Sequence, residues 1–329
     1  MKKGITKILS ACVFAFVVFL AAGTQSKAAV NMGVKQTGAG SSYVNLAWDA
    51  QLGAGHYHTQ FSQDGKNWID MDNSSSPSES VYNLTQGASY YARVVAYKDS
   101  HYMGTHVMVG VSETAIVSTK PTEVSGLTQT AAGVNSISMS WNASAGAASY
   151  VIYGYINYNW TQIGTSATNS ATITGVAATT STRFSVAAVK NVTGGTVTGD
   201  QCSGVEMKAI PIKVSRIAMQ YYWDSLKEAK YIWTDVNNAD GYQYEVKSAN
   251  GKKTYFRATS TSSYTYVKPF PRGIFVKARV RAYVTVGNKV YYGAWSPYTY
   301  HASCKKVTAK RSSNGKKIYL KWKKVSGAS

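Results

Sequence analysis

Val44-Asn45-Leu46-Ala47-Trp48 is a short alternating apolar run closed by a tryptophan, and the chain writes it four times. The other copies are Ile137-Ser138-Met139-Ser140-Trp141, Tyr231-Ile232-Trp233 and Ile318-Tyr319-Leu320-Lys321-Trp322. Apolar residues two apart fall on one face of a pleated strand, so each run reads as a half-buried strand. The four tryptophans stand 93, 92 and 89 residues apart. That spacing marks one domain copied in tandem, and a repeat sets the architecture before any other feature does. A second mark travels with the first: Tyr57, Tyr150 and Tyr242 each follow their tryptophan by nine residues. The partner of Trp322 would fall at position 331, two beyond Ser329, so the fourth copy reads as a truncated start.

Outward from these runs the pattern stays β. The turn pairs Asp64-Gly65, Gly194-Gly195, Asn250-Gly251 and Asn314-Gly315 divide short segments, and no amphipathic stretch of three helical turns appears. Asn250-Gly251 predicts a type I′ hairpin turn. Tyr90, Ala92, Val94 and Ala96 alternate with Tyr91, Arg93 and Val95. Phe184, Val186 and Ala188 do the same in the second copy, and Ala278, Val280 and Ala282 in the third. One apolar face on every strand is what two packed sheets need for a shared core. Prolines at Thr119-Lys120-Pro121-Thr122 and Ala209-Ile210-Pro211-Ile212 stiffen the joints. The expected fold is all-β: tandem sandwiches in a beads-on-a-string array. Its parts are a leader at 1–28, repeats at 29–119, 120–211 and 212–304, and a fourth start at 305–329.

The strand tryptophan, the tyrosine nine residues on, and Leu84-Thr85-Gln86-Gly87-Ala88-Ser89-Tyr90 resemble the fibronectin type III domain. The resemblance implies an immunoglobulin-like sandwich in which Tyr90 forms a tyrosine corner, its hydroxyl tied to the backbone upstream. Lys324-Val325-Ser326-Gly327-Ala328-Ser329, and Ala143-Ser144-Ala145-Gly146-Ala147-Ala148 more loosely, resemble a loop of extracellular bacterial members. Thr182 and Val276 stand where Tyr90 sits, so the second and third copies lack the corner hydroxyl. No Arg-Gly-Asp occurs, so the integrin-binding use of the family is not supported.

Lys2, Lys3 and Lys7 precede an apolar stretch from Ile8 to Ala22, and Ser26-Lys27-Ala28 supplies small residues for cleavage after Ala28. That reads as an export signal, so the mature chain is expected to be secreted, with no membrane-spanning segment, and monomeric. Of the net charge of +20, residues 213–329 carry 23 Lys and Arg against 5 acids, or +18. The asymmetry points to an acidic polymer or surface as partner. Cys202 and Cys304 lie 61 and 71 residues after their tryptophans, at non-equivalent positions, so free thiols are expected.

Catalytic signals are poor. There is no His-Glu-x-x-His, Cys-x-x-Cys or Gly-x-Ser-x-Gly. Asp70-Met71-Asp72-Asn73 opens like a calcium loop, but Ser75 and Val81 replace the required Gly and Glu. His56 and His58 share a strand face, with nothing nearby in sequence to complete a metal set. No catalytic residue, cofactor or metal is therefore assigned, and the chain is read as not an enzyme. Two groups are candidates for ligand contact. Tyr153, Tyr155, Tyr158 and Trp160 cluster on one strand and the turn after it, where exposed rings either stack on sugars or protein side chains or simply cover the outer face of a sheet that favours tyrosine. Lys277, Arg279 and Arg281 share an outward strand face, with Glu245 and Lys247 expected on the neighbouring strand. This row is either a cross-strand ion ladder or a polyanion stripe.

Two functions fit. One is an exported bacterial surface protein whose modules act as spacer, adhesin or polymer-binding array. Its partners would be cell-wall or host anionic polymers, glycans or surface proteins, and not nucleic acid. The alternative is a non-catalytic accessory region of a larger secreted polysaccharide-degrading enzyme.

Overall fold

The computed structural model describes residues 29–99, 106–178, 181–223, 225–270, 273–303 and 307–325. The leader, Cys304 and the last four residues of the terminal loop fall outside them. Among the described residues there is no helix, and none is long and apolar enough to cross a membrane. The first unit holds β1 (Lys35–Ala39), β2 (Val44–Ala47), β3 (His56–Ser62), β4 (Ile69–Ser74), β5 (Ser78–Val81), β6 (Ser89–Asp99), β7 (His106–Val111) and β8 (Ala115–Ser118). The second holds β9 (Thr128–Ala132), β10 (Ser136–Ser140), β11 (Ser149–Ile156), β12 (Asn159–Ser166), β13 (Ser170–Thr174), β14 (Ser181–Val192), β15 (Gly195–Thr198) and β16 (Val205–Lys208). The third holds β17 (Ile217–Trp223), β18 (Glu228–Trp233), β19 (Gly241–Ser248), β20 (Thr254–Ser260), β21 (Tyr264–Val267), β22 (Phe275–Val286), β23 (Lys289–Tyr292) and β24 (Thr299–Ala302).

Each unit repeats one topology. A three-stranded sheet, β1-β2-β5 in the first, packs on a larger sheet ordered β4-β3-β6-β7, with β8 also paired to β6. The second and third units use β9-β10-β13 with β12-β11-β14-β15/β16, and β17-β18-β21 with β20-β19-β22-β23/β24. These are tandem immunoglobulin-like sandwiches with the fibronectin type III strand order.

The repeat markers hold the cores together. Trp48, Trp141 and Trp233 are buried, and each ring lies 5.2–5.4 Å from that of Tyr57, Tyr150 or Tyr242. Each tyrosine hydroxyl then accepts the backbone N–H six residues upstream: Gln51 at 3.1 Å, Ser144 at 3.0 Å and Val236 at 2.8 Å. One residue thus fills the core and satisfies a loop amide that burial would otherwise strand. Tyr90 forms the corner, accepting from the Thr85 N–H at 3.0 Å. In the third unit Val276 is wholly buried in its place, and Phe270 packs on Tyr222 and Tyr231.

The last strand of each unit breaks in two, and the break is handled alike three times. At it, Ser112, Cys202 and Ser296 donate their N–H to the carbonyl of Val94, Val186 and Val280. Their side chains accept the N–H of those same valines, at 2.9, 3.2 and 3.0 Å. Cys202 is a free, buried thiol in the position of a serine.

One local expectation changes. Among non-glycine residues with positive φ, Asn250 is absent, while Gly251 has φ 77° and donates its N–H to the Ser248 carbonyl at 2.7 Å. That is a longer loop closed by one left-handed glycine, with Asn250 Oδ1 accepting the Lys252 N–H. A two-residue type I′ turn forms instead at Asn157-Tyr158, where φ is 49° and 65° and Ile156 pairs with Asn159.

The units touch at their joints. Thr193 donates its N–H to the Ile116 carbonyl and its Oγ1 accepts the Ile116 N–H, and Lys120 meets Asp200 at 2.7 Å. At the next joint Lys208 meets Asp240 at 3.1 Å, and Lys289 and Tyr291 donate to the carbonyls of Thr130 and Gln129. Beyond them β25 (Thr308–Arg311) and β26 (Ile318–Lys321) form a two-stranded ribbon, exposed on both faces, with Trp322 59% exposed.

Candidate functional site

The structure separates the aromatic residues singled out in the second unit. Tyr155 pairs with Trp160 across the β11–β12 hairpin, ring centroids 5.3 Å apart, while Tyr158 projects from the turn, 91% exposed. Tyr153 is half-buried further along β11. Trp160 lies over Gly204, where a Cβ would come within 2.8 Å of the ring. Part of its surface is therefore taken up in covering the approach to β16.

Lys277, Arg279 and Arg281 lie outward on β22, directly opposite Lys247, Glu245 and Gln243 of β19. Glu245 is wholly buried under them. Its carboxylate accepts from Arg257 at 2.6 Å and Arg279 at 2.6 Å, with the Lys247 ammonium at 3.2 Å. Desolvation pushes this carboxyl up, but the hydrogen bonds from Arg257, Lys247 and Arg279 outweigh it and hold the pKa at about 2. Rings interleave with the cations. Lys277 sits 4.6 Å above Tyr298, Arg279 4.4 Å above Trp295, and Arg281 3.9 Å above Tyr292. The row is thus a cross-strand ladder whose charges and π faces are largely engaged with one another.

The opposite face of the same unit carries an arrangement that the sequence pattern had hidden. Tyr221, Lys230 and Tyr266 stand side by side across β17, β18 and β21. Trp223 and Tyr264 extend the row, 50% and 43% exposed, and Tyr266 is 48% exposed. Lys230 Nζ lies 4.9 Å from the Tyr264 ring and 5.6 Å from that of Tyr266; Tyr221 and Trp223 are 4.7 Å apart. The cause is a β-bulge between Met219 and Tyr221. A bulge adds one residue and reverses parity. Tyr221 and Trp223 therefore leave the core face that Ile217 and Met219 occupy, and Tyr222 takes it.

A third cluster sits on the first unit. His56 Nδ1 lies 2.6 Å from Asp99 Oδ1, and His106 Nδ1 lies 3.7 Å from the same oxygen. The two imidazoles are 4.7 Å apart, and His56 stacks on Tyr97 at 5.3 Å. His58 lines the same open groove, with Asn73, Ser74 and Ser75. Burial chiefly lowers its pKa, against the raising influence of Asp70. The partners missing from the neighbourhood of His56 in sequence are supplied by β6 and β7.

No family model and no curated protein matches this chain. Among solved structures, it is similar to the chicken CNTN1 FN1-FN3 domains, at 16% identity and a TM-score of 0.35, covering 83% of this chain and 97% of that one.

Proposed function

We propose that the chain is an exported, non-catalytic array of sandwich modules, of bacterial origin, that binds an anionic polysaccharide. The binding surface is the outward face of the three-stranded sheet in the third unit. The observation that carries this is the row Tyr221–Lys230–Tyr266, flanked by Trp223 and Tyr264. Half-exposed rings on a flat sheet offer apolar faces to sugar rings at little entropic cost. A lysine among them supplies a counter-charge for a carboxylate, sulfate or phosphate on the polymer. The +18 carried by residues 213–329 draws such a polymer toward this end of the array. The equivalent rows are Gly38–Asn45–Ser80 and Ala131–Ser138–Thr172, with no ring and no charge, so the first two units serve as spacers.

Affinity electrophoresis in heparin and in polygalacturonate tests the reading. Retardation of the wild-type chain should fall about tenfold in Trp223→Ala and in Tyr266→Ala. It should also weaken as salt rises past ~0.15 M, where the Debye length is about 8 Å. Retardation unchanged in both variants would remove the platform from the binding site.

A further inference from the structure

We propose that His56, Asp99 and His106 form a site for a borderline divalent cation of the zinc, nickel and copper class on the outer face of the first sandwich. The donors come from three adjacent strands: His56 opens β3, Asp99 closes β6 and His106 opens β7. One atom of each lies within 4.8 Å of the others. Tetrahedral zinc with bonds of about 2.1 Å needs donors about 3.4 Å apart. Asp99 and His106, at 59% and 60% side-chain exposure, can close that difference by rotation, whereas His56, at 17%, is the fixed member.

The surroundings favour a cation of this class. Two imidazoles and one carboxylate suit zinc, nickel or copper, while calcium and magnesium take oxygen donors. Three of the chain's five histidines, His56, His58 and His106, line this one groove. The groups facing it among the described residues are Asp99 and Tyr97 on β6, His58 on β3, His106 on β7 and Asp70 on β4, with the Arg93 guanidinium of β6 within electrostatic reach of Asp70 and Tyr97. Gly55 is part of the arrangement: a Cβ there would stand 2.4 Å from Asp99 Oδ2 and push the carboxylate away from His56.

The test is calorimetric titration of the untagged full chain with Zn²⁺ at neutral pH. One site is expected. Affinity should drop at least tenfold in His106→Ala and in Asp99→Asn, and less in His58→Ala. It should also fall as pH drops through the histidine range, because protons compete for the same lone pairs. Thermal unfolding without metal serves as the folding control, since His106 is a surface residue whose loss should leave it unmoved. Zn²⁺ should raise the midpoint for wild type and not for His106→Ala. No heat of binding in the wild type, or equal affinity in His106→Ala with folding intact, would overturn the site.

Discussion

The second and third units place different chemistry on an identical sheet. In the second, the outward row across the three strands is Ala131–Ser138–Thr172, closed by a hydroxyl pair at 2.9 Å. In the third, the same row, again three residues before the tryptophan, is Tyr221–Lys230–Tyr266. Inward neighbours barely differ in kind: Met139 and Trp141 in one, Tyr231 and Trp233 in the other, all buried. Packing constrains the inner face, because any change of volume there leaves a cavity or a clash. Solvent constrains the outer face far less. Surface chemistry diverges where packing does not reach.

The shared frame is where the comparison breaks most visibly. Trp48→Ala, Trp141→Ala and Trp233→Ala should each destabilise their own unit by about 3–5 kcal/mol, the scale of large core deletions. Denaturant unfolding, followed unit by unit, reads this. A loss of under ~1 kcal/mol at one position would show that this unit does not share the frame.

The larger sheets differ more subtly. Gln60 faces Arg93 in the first unit where Glu245 faces Arg279 in the third. In the first, Arg93 Nε donates to the neutral Gln60 at 2.7 Å and stacks on Trp68, and Gln60 Nε2 in turn donates to the exposed Asp70 carboxylate at 2.6 Å. The Glu245 carboxyl, held at about 2 against a usual 4.5, contributes stability that is complete above pH ~4.5 and lost as pH falls toward 2. One pKa unit is about 1.4 kcal/mol, and Arg257 is half in solvent, so about 2–3 kcal/mol is at stake. Acid unfolding should therefore reach the third unit through this group and pass over the equivalent site in the first. Glu245→Gln should flatten that part of the pH profile; an unchanged profile would mean that the ladder is neutral in energy.

What the sequence made legible follows from the same asymmetry. Burial on one face writes a period of two, so Trp48, Trp141, Trp233, their tyrosines and the outward parity of Lys277, Arg279 and Arg281 could all be read. Parity could not reveal that Tyr292, Trp295 and Tyr298 fill the spaces between those cations, because they follow on a different strand and its loop. The row on β17 was hidden because one extra residue at Gln220 moves every later side chain to the other face. The histidine groove was hidden by distance: Asp99 and His106 come 43 and 50 residues after His56, and only strand pairing joins them.

The smallest expected effect concerns Cys202. In the first and third units a serine at the break in the last strand gives its Oγ to a buried valine N–H and donates its own proton onward, to the carbonyl of Glu113 or Pro297. In the second unit the Cys202 sulfur takes the Val186 N–H at 3.2 Å, and Ser185 Oγ donates to the Cys202 carbonyl. A thiol is the weaker acceptor, yet it does the serine's task within the core cluster that includes Val186 and Met207. Cys202→Ser should then change the stability of the second unit by less than about 1 kcal/mol. Cys202→Ala should cost about 1–3 kcal/mol, because it leaves the Val186 N–H buried without a partner. Denaturation midpoints of the two variants, measured side by side, decide the point. A serine as costly as the alanine would mean that the three units share a shape at this break and not a hydrogen bond.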